Sequence, residues 1–462
     1  MTARPMGDLH ERHDYLAWGG LHRFRQRIAR PFFIDELPPI LAARGNQSLL
    51  GSGCRRSYGD SGLNADNILI DMRGLDHLLA FDPTNGIVEA EAGLTLANIL
   101  ALARLSQNGA GQWFLPATPG TKFVTLGGAI ANDVHGKNHH AAGCFGNHVL
   151  SLRLMRSDGT VLTCSPQENA ELFKATIGGL GLTGLILSAR FALKNVPGLW
   201  MEQENIRFAT LDEFYVLAEK SYGWEYTVAW VDCFAPRQQL GRGVFTRARH
   251  VAAPANKRSN APASKQLLTI PAALPNFILN TTTMKAFNTY LWYRASTKPT
   301  AEIVPFEKVL YPLDSIAHWN RIYGRRGFFQ HQCVVPTAYA KEAMRSLLTE
   351  IRSAGLGSFL AVLKTFGDRP SPGMLSFPME GTTLALDFPN TGAPTLALLD
   401  RLDDICTNAG GRVYAAKDGR IPARKFQQGY PAWKEFLPHV DPAFSSSFWR
   451  RVSAVSETGK AA

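Results

Sequence analysis

A histidine and a lysine stand two positions apart at the end of a stretch of small residues, a spacing that suggests chemistry beside a bound anion. The stretch runs from Pro119 to His140 and reads Pro-Gly-Thr-Lys-Phe-Val-Thr-Leu-Gly-Gly-Ala-Ile-Ala-Asn-Asp-Val-His-Gly-Lys-Asn-His-His. Because glycine has no Cβ, its backbone N–H groups can approach a phosphate closely, and successive N–H groups form an anion-binding concavity. His135 can exchange protons near neutral pH, and Lys137 can hold a phosphate as a point charge. The stretch therefore predicts a phosphate cradle that leads into acid–base chemistry.

A second glycine-rich stretch lies upstream, from Leu50 to Gly62, and reads Leu-Gly-Ser-Gly-Cys-Arg-Arg-Ser-Tyr-Gly-Asp-Ser-Gly. A single stretch of this kind is more often a structural turn than a ligand site. Two of them in this order favour loops that grip one dinucleotide pyrophosphate. His135 has its own alternative interpretation as a buried structural histidine.

Six short motifs, spread from about residue 50 to about residue 420, carry a resemblance to a known family. They are Arg56 to Asp60, His135 to His140, Phe145 to Val149, Gly181 to Gly184, Trp319 to Arg321 and Ala416 to Asp418. In these motifs the chain resembles the vanillyl-alcohol-oxidase type of FAD-binding protein. Within that superfamily it is most similar to the oxidase subunits of decaprenylphosphoryl-β-D-ribose 2′-epimerases.

The resemblance implies an α+β fold with two domains. We expect a PCMH-type FAD-binding domain of two α+β subdomains in residues 1–195, completed by 412–462. Residues 196–411 would form a substrate domain in which an antiparallel sheet is flanked by helices. The residues that the resemblance assigns to FAD are Gly51, Gly53, Arg56, Ser57, Tyr58, Gly59, Asp60, Gly120, Thr125, Leu126, Gly127, Gly128, Asn132, Asp133, Val134, His135, Ile186 and Tyr414.

The reaction implied is oxidation of a secondary alcohol, in which FAD takes the hydride and a protein group takes the hydroxyl proton. Lys417, Tyr58 and His135 are the candidates for the proton, and the sequence does not choose among them. Lys417 falls where the family has its essential lysine, and partial desolvation can lower the pKa of a lysine into the working range. The residues assigned to the substrate pocket are Lys137, Trp230, Gln330, Gln332, Lys364, Thr383 and Ala385.

Four positions depart from the family pattern, among them Leu310, which aligns with a pocket tyrosine and has Tyr311 next to it. Many relatives attach the flavin through a histidine that aligns with Arg56, and arginine cannot form that bond, so we expect dissociable FAD. The pocket cysteine of the family aligns with Ala385, and a neighbouring asparagine aligns with Thr383. The cysteine takes no part in the oxidation, so these two changes bear on the substrate and leave the reaction type intact.

The secondary-structure signals predict the elements that must position these residues. Thr95 is a fitting N-cap for a helix over 96–105, and Ser157-Asp158-Gly159 predicts a hairpin between strands 151–156 and 160–164. Apolar periodicity predicts helices over 337–354 and 395–408. A strand is expected over 413–416, and residues 252–300 are predicted to form a long loop.

Composition excludes several other classes of protein. The chain has 462 residues, 45% hydrophobic and 19% charged, with a net charge of +11. Its basic residues form no Lys/Arg block and no nucleic-acid module, so nucleic acid is not expected as a partner. The six cysteines contain no C-x-x-C pair, so neither a metal site nor a disulfide framework is expected.

The partners follow from the resemblance. They are a polyprenyl-phosphate sugar, a keto-reductase of the short-chain-dehydrogenase type, a quinone or other electron acceptor, and an anionic membrane surface contacted peripherally. No signal peptide is recognised at the N-terminus, which favours a cytoplasmic place at the inner face of the membrane over a periplasmic one. The alternatives are a soluble aldonolactone or sugar-alcohol oxidase and a non-catalytic flavin-binding protein.

Overall fold

A small sheet at the N-terminal side holds the first glycine-rich stretch at the end of a parallel strand. The computed structural model describes residues 9–105, 107–108, 111–255, 268–275 and 279–454. The sheet has the order β1-β2-β4-β3, with β3 and β2 parallel to β4 and β1 antiparallel to β2. Ligands of open α/β sheets bind beyond the carboxyl ends of such strands. The elements are β1 (His10–Arg12), β2 (Gln26–Ala29), α1 (Leu37–Ala42), β3 (Leu49–Ser52) and β4 (Ile68–Asp71).

A five-stranded antiparallel sheet carries the second glycine-rich stretch. Its order is β10-β9-β11-β6-β5, and helices α2 and α3 pack with it in one apolar core. A separate three-stranded sheet has the order β12-β8-β7. The elements are β5 (Leu78–Asp82), β6 (Ile87–Glu91), α2 (Leu96–Leu105), β7 (Gln107–Asn108), β8 (Gly111–Phe114), α3 (Leu126–Ala131), α4 (His139–Ala142), β9 (Val149–Met155), β10 (Val161–Cys164), α5 (Ala170–Thr176), β11 (Leu185–Ala192) and β12 (Lys194–Val196).

An eight-stranded antiparallel sheet dominates the rest of the chain. Its order is β17-β13-β15-β14-β20-β21-β19-β22, and β16 pairs separately with β18. Helices α6, α9 and α10 cover one face through a core of leucines, phenylalanines and buried cysteines. The elements are β13 (Trp200–Phe208), α6 (Leu211–Lys220), β14 (Tyr226–Val231), β15 (Gly243–Val251), β16 (Leu268–Thr269), α7 (Thr281–Arg294), β17 (Ala301–Pro305), α8 (Phe306–Leu310), β18 (Ile316–Ala317), β19 (Phe328–Pro336), α9 (Thr337–Ala354), β20 (Ala361–Phe366), β21 (Gly381–Pro389), α10 (Ala393–Asn408) and β22 (Arg412–Val413).

The end of the described chain returns to the first sheet. Helices α11 (Ala423–Gly429), α12 (Trp433–Phe436) and α13 (Ser447–Val452) follow β22. The Leu49 N–H donates to the Ala443 carbonyl at 2.8 Å, and the Ser447 N–H donates to the Leu63 carbonyl at 2.8 Å. The division into residues 1–195 with 412–462 and residues 196–411 stays a prediction, and residues 455–462 lie outside the described part.

Several local predictions are confirmed. Helix α2 spans Leu96–Leu105, α9 spans Thr337–Ala354, and β9 and β10 form the predicted hairpin. Helix α10 begins two residues before the predicted helix, at Ala393. These elements depend on short-range periodicity and caps, which a single sequence displays directly.

Two local predictions are wrong. The predicted loop over 252–300 contains helix α7, which Asn280 caps by accepting hydrogen bonds from the Thr282 and Thr283 N–H groups. Residues 256–267 and 276–278 of that prediction lie outside the described residues. The predicted strand over 413–416 ends at Val413, because the Lys417 and Asp418 N–H groups turn back to the Tyr414 carbonyl. This turn sets the position of Lys417.

Among the described residues, no helix has the length and apolar character to cross a membrane. The same part of the chain holds no group of three His, Cys, Asp or Glu side chains that could bind a metal ion.

Candidate active site

A cavity of about 1100 Å³ joins the two glycine-rich stretches to one face of the eight-stranded sheet. Most of the residues that the sequence predicted for a cofactor line it. They are Gly51, Gly53, Arg56, Ser57, Tyr58, Gly120, Thr125, Gly127, Gly128, Asn132, Val134, His135, Ile186 and Tyr414. The predicted substrate residues Lys137, Trp230, Gln330, Gln332, Lys364, Thr383 and Ala385 and the catalytic candidate Lys417 line the same cavity.

Four predicted cofactor residues lie behind the cavity wall, where each supports the loops. A Cβ on Gly59 would stand 1.6 Å from the Asp418 carbonyl oxygen, so glycine lets two backbones meet there. Asp60 pairs with Arg451 at 2.6 Å, and Leu126 is fully buried in the core. Asp133 is fully buried and accepts from the Gly146 N–H at 2.8 Å. With these side chains engaged, any contact of the four with a cofactor would be through the main chain.

The two glycine-rich stretches touch each other. Thr125 caps α3 by accepting a hydrogen bond from the Gly128 N–H at 3.2 Å. A Cβ on Gly53 would stand only 2.2 Å from the Thr125 hydroxyl oxygen. The missing side chain at Gly53 therefore allows the first stretch to lie against the start of α3.

His135 is a neutral, buried imidazole. Its Nε2 lies 3.1 Å from the side-chain nitrogen of Gln332, an amide donor, so Nε2 is assigned as the acceptor and Nδ1 carries the proton. Nδ1 is buried with no hydrogen-bond partner in the described part of the chain. Burial, together with the charges of Lys364 and Lys417, holds the pKa of His135 well below its usual range.

Lys417 lies at the cavity wall against an aromatic ring. Its ammonium nitrogen is 3.8 Å from the centre of the Tyr58 ring, and it makes no hydrogen bond or ion pair within the described residues. Burial lowers the pKa of Lys417 to about 7, and the carboxylate of Asp387 opposes this shift. Burial also raises the pKa of Tyr58 well above its usual value, so that hydroxyl stays protonated. Lys417 can therefore gain or lose a proton near neutral pH, whereas Tyr58 keeps its proton.

The two predicted phosphate lysines differ in their surroundings. Lys137 donates from Nζ to the carbonyl oxygens of Val309 and Leu310, at 2.5 and 3.0 Å, and so ties α8 to the histidine-containing stretch. Lys364 has no hydrogen-bond acceptor among the described residues, and burial alone lowers its pKa to about 8. Of these two lysines, Lys364 is therefore the one whose ammonium is free to bind an anion.

The substrate-facing residues share one face of the sheet because of strand register. Gln332 pairs with Ala385, Ala385 with Val362, and Val362 with Trp230, across four neighbouring strands. Residues two positions apart on a strand have side chains on the same face of the sheet. Lys364, Thr383 and Gln330 therefore share the face of Val362, Ala385 and Gln332. The Trp230 indole N–H donates to the Phe359 carbonyl at 2.9 Å, which fixes its ring at the cavity.

Arg56 and Tyr414 frame the cofactor side. The Arg56 guanidinium lies 4.0 Å from the centre of the Trp18 ring and donates from Nε to the Phe123 carbonyl at 3.2 Å. The Tyr414 hydroxyl donates to the Asn132 carbonyl at 3.0 Å, and its ring stacks on Phe377 with centroids 4.4 Å apart. Arg56 is thus held in place of the histidine that attaches the flavin in relatives.

Sequence reasoning missed the acids around the lysines. Asp387 lies behind Lys417, and Asp314 accepts a hydrogen bond from the Lys122 N–H at 2.9 Å while it lines the cavity. Neither stands in a motif that the sequence displays. Asp387 could have been suspected only because it is a carboxylate within the apolar run from Leu384 to Phe388.

Comparison with known proteins shows the family of the chain. Residues 41–165 match the family model of the FAD binding domain. The chain is 36% identical to the decaprenylphosphoryl-β-D-ribose oxidase of Mycolicibacterium smegmatis over 429 residues, which cover 89% of this chain and 90% of that protein. The chain belongs to the decaprenylphosphoryl-β-D-ribose oxidase family. It is an FAD-dependent oxidoreductase with an α+β fold.

Two further relatives show how much of the chain the sequence similarity covers. An uncharacterised protein of Streptomyces coelicolor is 33% identical over 74% of this chain and 96% of its own length. Mouse L-gulonolactone oxidase is 34% identical, but over only 36% of this chain and 37% of its own length. The likeness to lactone oxidases is therefore partial, whereas that to the ribose oxidase extends over nearly the whole chain.

The cavity fits FAD on its own chemistry. The wall at Gly53, Gly127 and Gly128 carries no side chains, which leaves room for a pyrophosphate against the backbone, while the Gly127 and Gly128 N–H groups themselves donate to the Ala92 carbonyl and the Thr125 hydroxyl. His135 and Ile186 line the same cavity. FAD bound there would supply hydride acceptance next to Lys417.

Proposed function

We propose that the chain oxidises the 2′-hydroxyl of a polyprenylphosphoryl-β-D-ribofuranose to the 2′-keto product, the first half of epimerisation to an arabinose donor. The observation that carries this proposal is one cavity in which a glycine-lined cradle, a proton-exchanging Lys417 and an unpaired Lys364 all face the same space. Oxidation of a secondary alcohol that bears a phosphate uses all three: a site for FAD, an acceptor for the hydroxyl proton and a cation for the phosphate. The similarity to the Mycolicibacterium oxidase supports the same substrate class.

Lys417 is proposed as the acceptor of the hydroxyl proton. With a pKa lowered to about 7, a substantial fraction of its amine is neutral at physiological pH and can accept a proton. His135 is also neutral, but its Nε2 is occupied by Gln332 and its Nδ1 already carries a proton. Tyr58 keeps its proton. Once protonated, the Lys417 ammonium rests against the Tyr58 ring, where a cation is stabilised.

The remaining pocket residues orient the sugar and its phosphate. Gln332 donates to His135 and lies 3.4 Å from the Thr383 hydroxyl, so these three hold one another in fixed rotamers beside the sugar site. Trp230 offers a flat apolar face to the ring or lipid. Lys364 offers its ammonium to the phosphate, and Lys137 keeps α8 against the site. Ala385 leaves space where a larger side chain would reduce the pocket.

Anaerobic bleaching of the flavin tests the substrate class. The purified holoenzyme would be mixed without oxygen with farnesylphosphoryl-β-D-ribose, xylitol or gulonolactone, and the flavin absorbance followed. We expect bleaching by the phosphoryl ribose at concentrations where the two polyols have no effect. Bleaching by the polyols alone would replace this proposal with that of a soluble aldonolactone or sugar-alcohol oxidase.

We also propose that the chain binds its substrate at an anionic membrane surface. The keto product would pass to a reductase of the short-chain-dehydrogenase type, and a quinone or other acceptor would reoxidise FAD. The net charge of +11 supports contact with an anionic membrane surface. So does α7, where Phe287 lines the cavity and Tyr290 and Tyr293 are 60% and 65% exposed. Exposed aromatic residues favour a bilayer interface. Co-flotation with phosphatidylglycerol vesicles is expected, and a Tyr290→Ser, Tyr293→Ser variant should float less. No flotation of the unaltered protein at low salt would contradict the membrane contact.

A further inference from the structure

A buried carboxylate stands behind the cavity wall at the catalytic candidate Lys417. We propose that Asp387 is a positioning residue for the oxidation: anchored by Gln330 and Tyr323, it is the counter-charge that sets the protonation state of Lys417. This inference rests on the proposed role of Lys417 as proton acceptor. Asp387 does not line the cavity, so it would act on Lys417 through its charge without touching the substrate.

Strand register fixes Asp387 in place. It lies on β21 directly opposite Gln330 of β19, and its side chain is fully buried. The Gln330 side-chain amide donates to Oδ1 at 2.5 Å, and the Tyr323 hydroxyl donates to Oδ2 at 3.5 Å. Its own N–H is 3.2 Å from the Ser358 hydroxyl oxygen. A carboxylate held by two donors on a central strand cannot turn away to solvent.

Aromatic packing connects this carboxylate to Lys417. The Tyr323 ring stacks on Phe328 with centroids 4.1 Å apart, and Phe328 meets the edge of Tyr58 at 5.4 Å. Lys417 lies over that same Tyr58 ring, and Tyr58 also interacts with Gln330. Tyr58, which contacts the Lys417 ammonium, therefore also contacts Gln330, one of the two residues that hold Asp387.

Lys417 and Asp387 form an electrostatic pair in a poorly solvated space. Burial raises the pKa of Asp387 to about 7 and lowers that of Lys417 to about 7, and each charge opposes the shift of the other. Of the other groups that face Lys417, Lys364 lowers its pKa further, while Tyr58, Tyr323 and His135 are neutral. Asp387 is thus the acid that favours the ammonium form, and without it the amine would lose its proton at lower pH.

Competitive acetylation measures this effect without any substrate. Holoenzyme would be treated with trace acetic anhydride over a range of pH, and the acetylated fraction of Lys417 and of Lys364 determined by peptide mass spectrometry. In Asp387→Asn the half-point of Lys417 acetylation should move down by roughly one pH unit, the usual size for loss of a nearby opposite charge. Tyr323→Phe, which removes one donor to the carboxylate, should move it less and in the same direction. Lys364 is the internal control, because Asp387 does not contribute to the shift of its pKa, so its half-point should not move down with that of Lys417.

The acid limb of the pH profile for flavin reduction should move with the acetylation half-point in both variants. An unchanged Lys417 half-point in Asp387→Asn, or an equal shift of Lys364, would overturn the proposal; if that variant does not fold, Tyr323→Phe decides by the same criterion. A failure of the substrate assignment would look different. The flavin of the unaltered protein would then be bleached only by a free polyol. The acetylation titration would still measure the effect of Asp387 on Lys417.

Discussion

Replacing Lys417 by methionine is expected to leave FAD bound while slowing anaerobic flavin reduction by the phosphoryl ribose roughly 10²–10⁴-fold, the usual contribution of a positioned general base. Methionine keeps the length and apolar stem of lysine, so the packing on Tyr58 survives. The proton acceptor is lost, and His135 cannot replace it because Gln332 occupies its Nε2. Stopped-flow absorbance measures the rate, and FAD content is read after acid precipitation.

Lys425→Met is the matched control for losing a buried lysine. Lys425 pairs with Asp404 at 2.7 Å and donates to the Asp400 carbonyl, outside the cavity, so its loss should lower stability without slowing flavin reduction. An unchanged rate in Lys417→Met would remove Lys417 from the mechanism.

Acid precipitation of the holoenzyme also tests how FAD is attached. Yellow supernatant is expected for every variant, since Arg56 cannot bond the flavin, and a coloured pellet would show a covalent link.

The sequence was most informative where function depends on neighbours in the chain. The glycine-rich stretches, the capped helix after Thr95 and the order His135-Gly136-Lys137 are local, and each lies at the cavity or supports it. A missing side chain at Gly53 and Gly127 is visible in the sequence, and its consequence, the close approach of two chain segments, follows from elementary sterics.

What the sequence could not show depends on strand register and on partners distant in the chain. Gln330 and Asp387 are 57 residues apart, and only the pairing of β19 with β21 brings their side chains together. Likewise, Lys137 finds its acceptors 172 and 173 residues away, at Val309 and Leu310. No periodicity in a single sequence encodes such contacts, so the difference between an anchored and a free lysine was not predictable.

Helix α7 was missed for a different reason. Its neighbourhood is rich in Pro, Ala, Ser, Asn and Thr, which favours a loop on composition. The helix depends on one local feature, the Asn280 cap, and on tertiary burial of Met284, Asn288 and Trp292 at four-residue spacing. Asn288 even donates to the Asp232 carboxylate at 3.1 Å, so a polar residue occupies the buried face and hides the apolar pattern.

Lys364→Met is expected to raise the KM for farnesylphosphoryl-β-D-ribose roughly 10–100-fold with little change in the limiting rate of reduction. A hydrogen bond between an ammonium and a phosphate contributes about 1.5–3 kcal/mol, and each 1.4 kcal/mol is tenfold in affinity. Lys364 is the relevant group because its ammonium has no acceptor among the described residues. In the unaltered protein, KM should rise as the pH passes about 8, where the free Lys364 loses its proton, and the variant should lack this dependence.

Lys137→Met separates phosphate binding from support of the site. Since Lys137 already donates to two carbonyl oxygens of α8, its loss should lower the melting temperature and raise KM less than the loss of Lys364 does. Xylitol and gulonolactone carry no phosphate, so any reduction by them should be equal in the unaltered protein and in Lys364→Met. If the KM for the phosphoryl ribose is unchanged in Lys364→Met, the substrate phosphate does not bind at Lys364. The reversed order, with Lys137→Met the more damaging to KM and Lys364→Met neutral, would place the phosphate beside α8 instead.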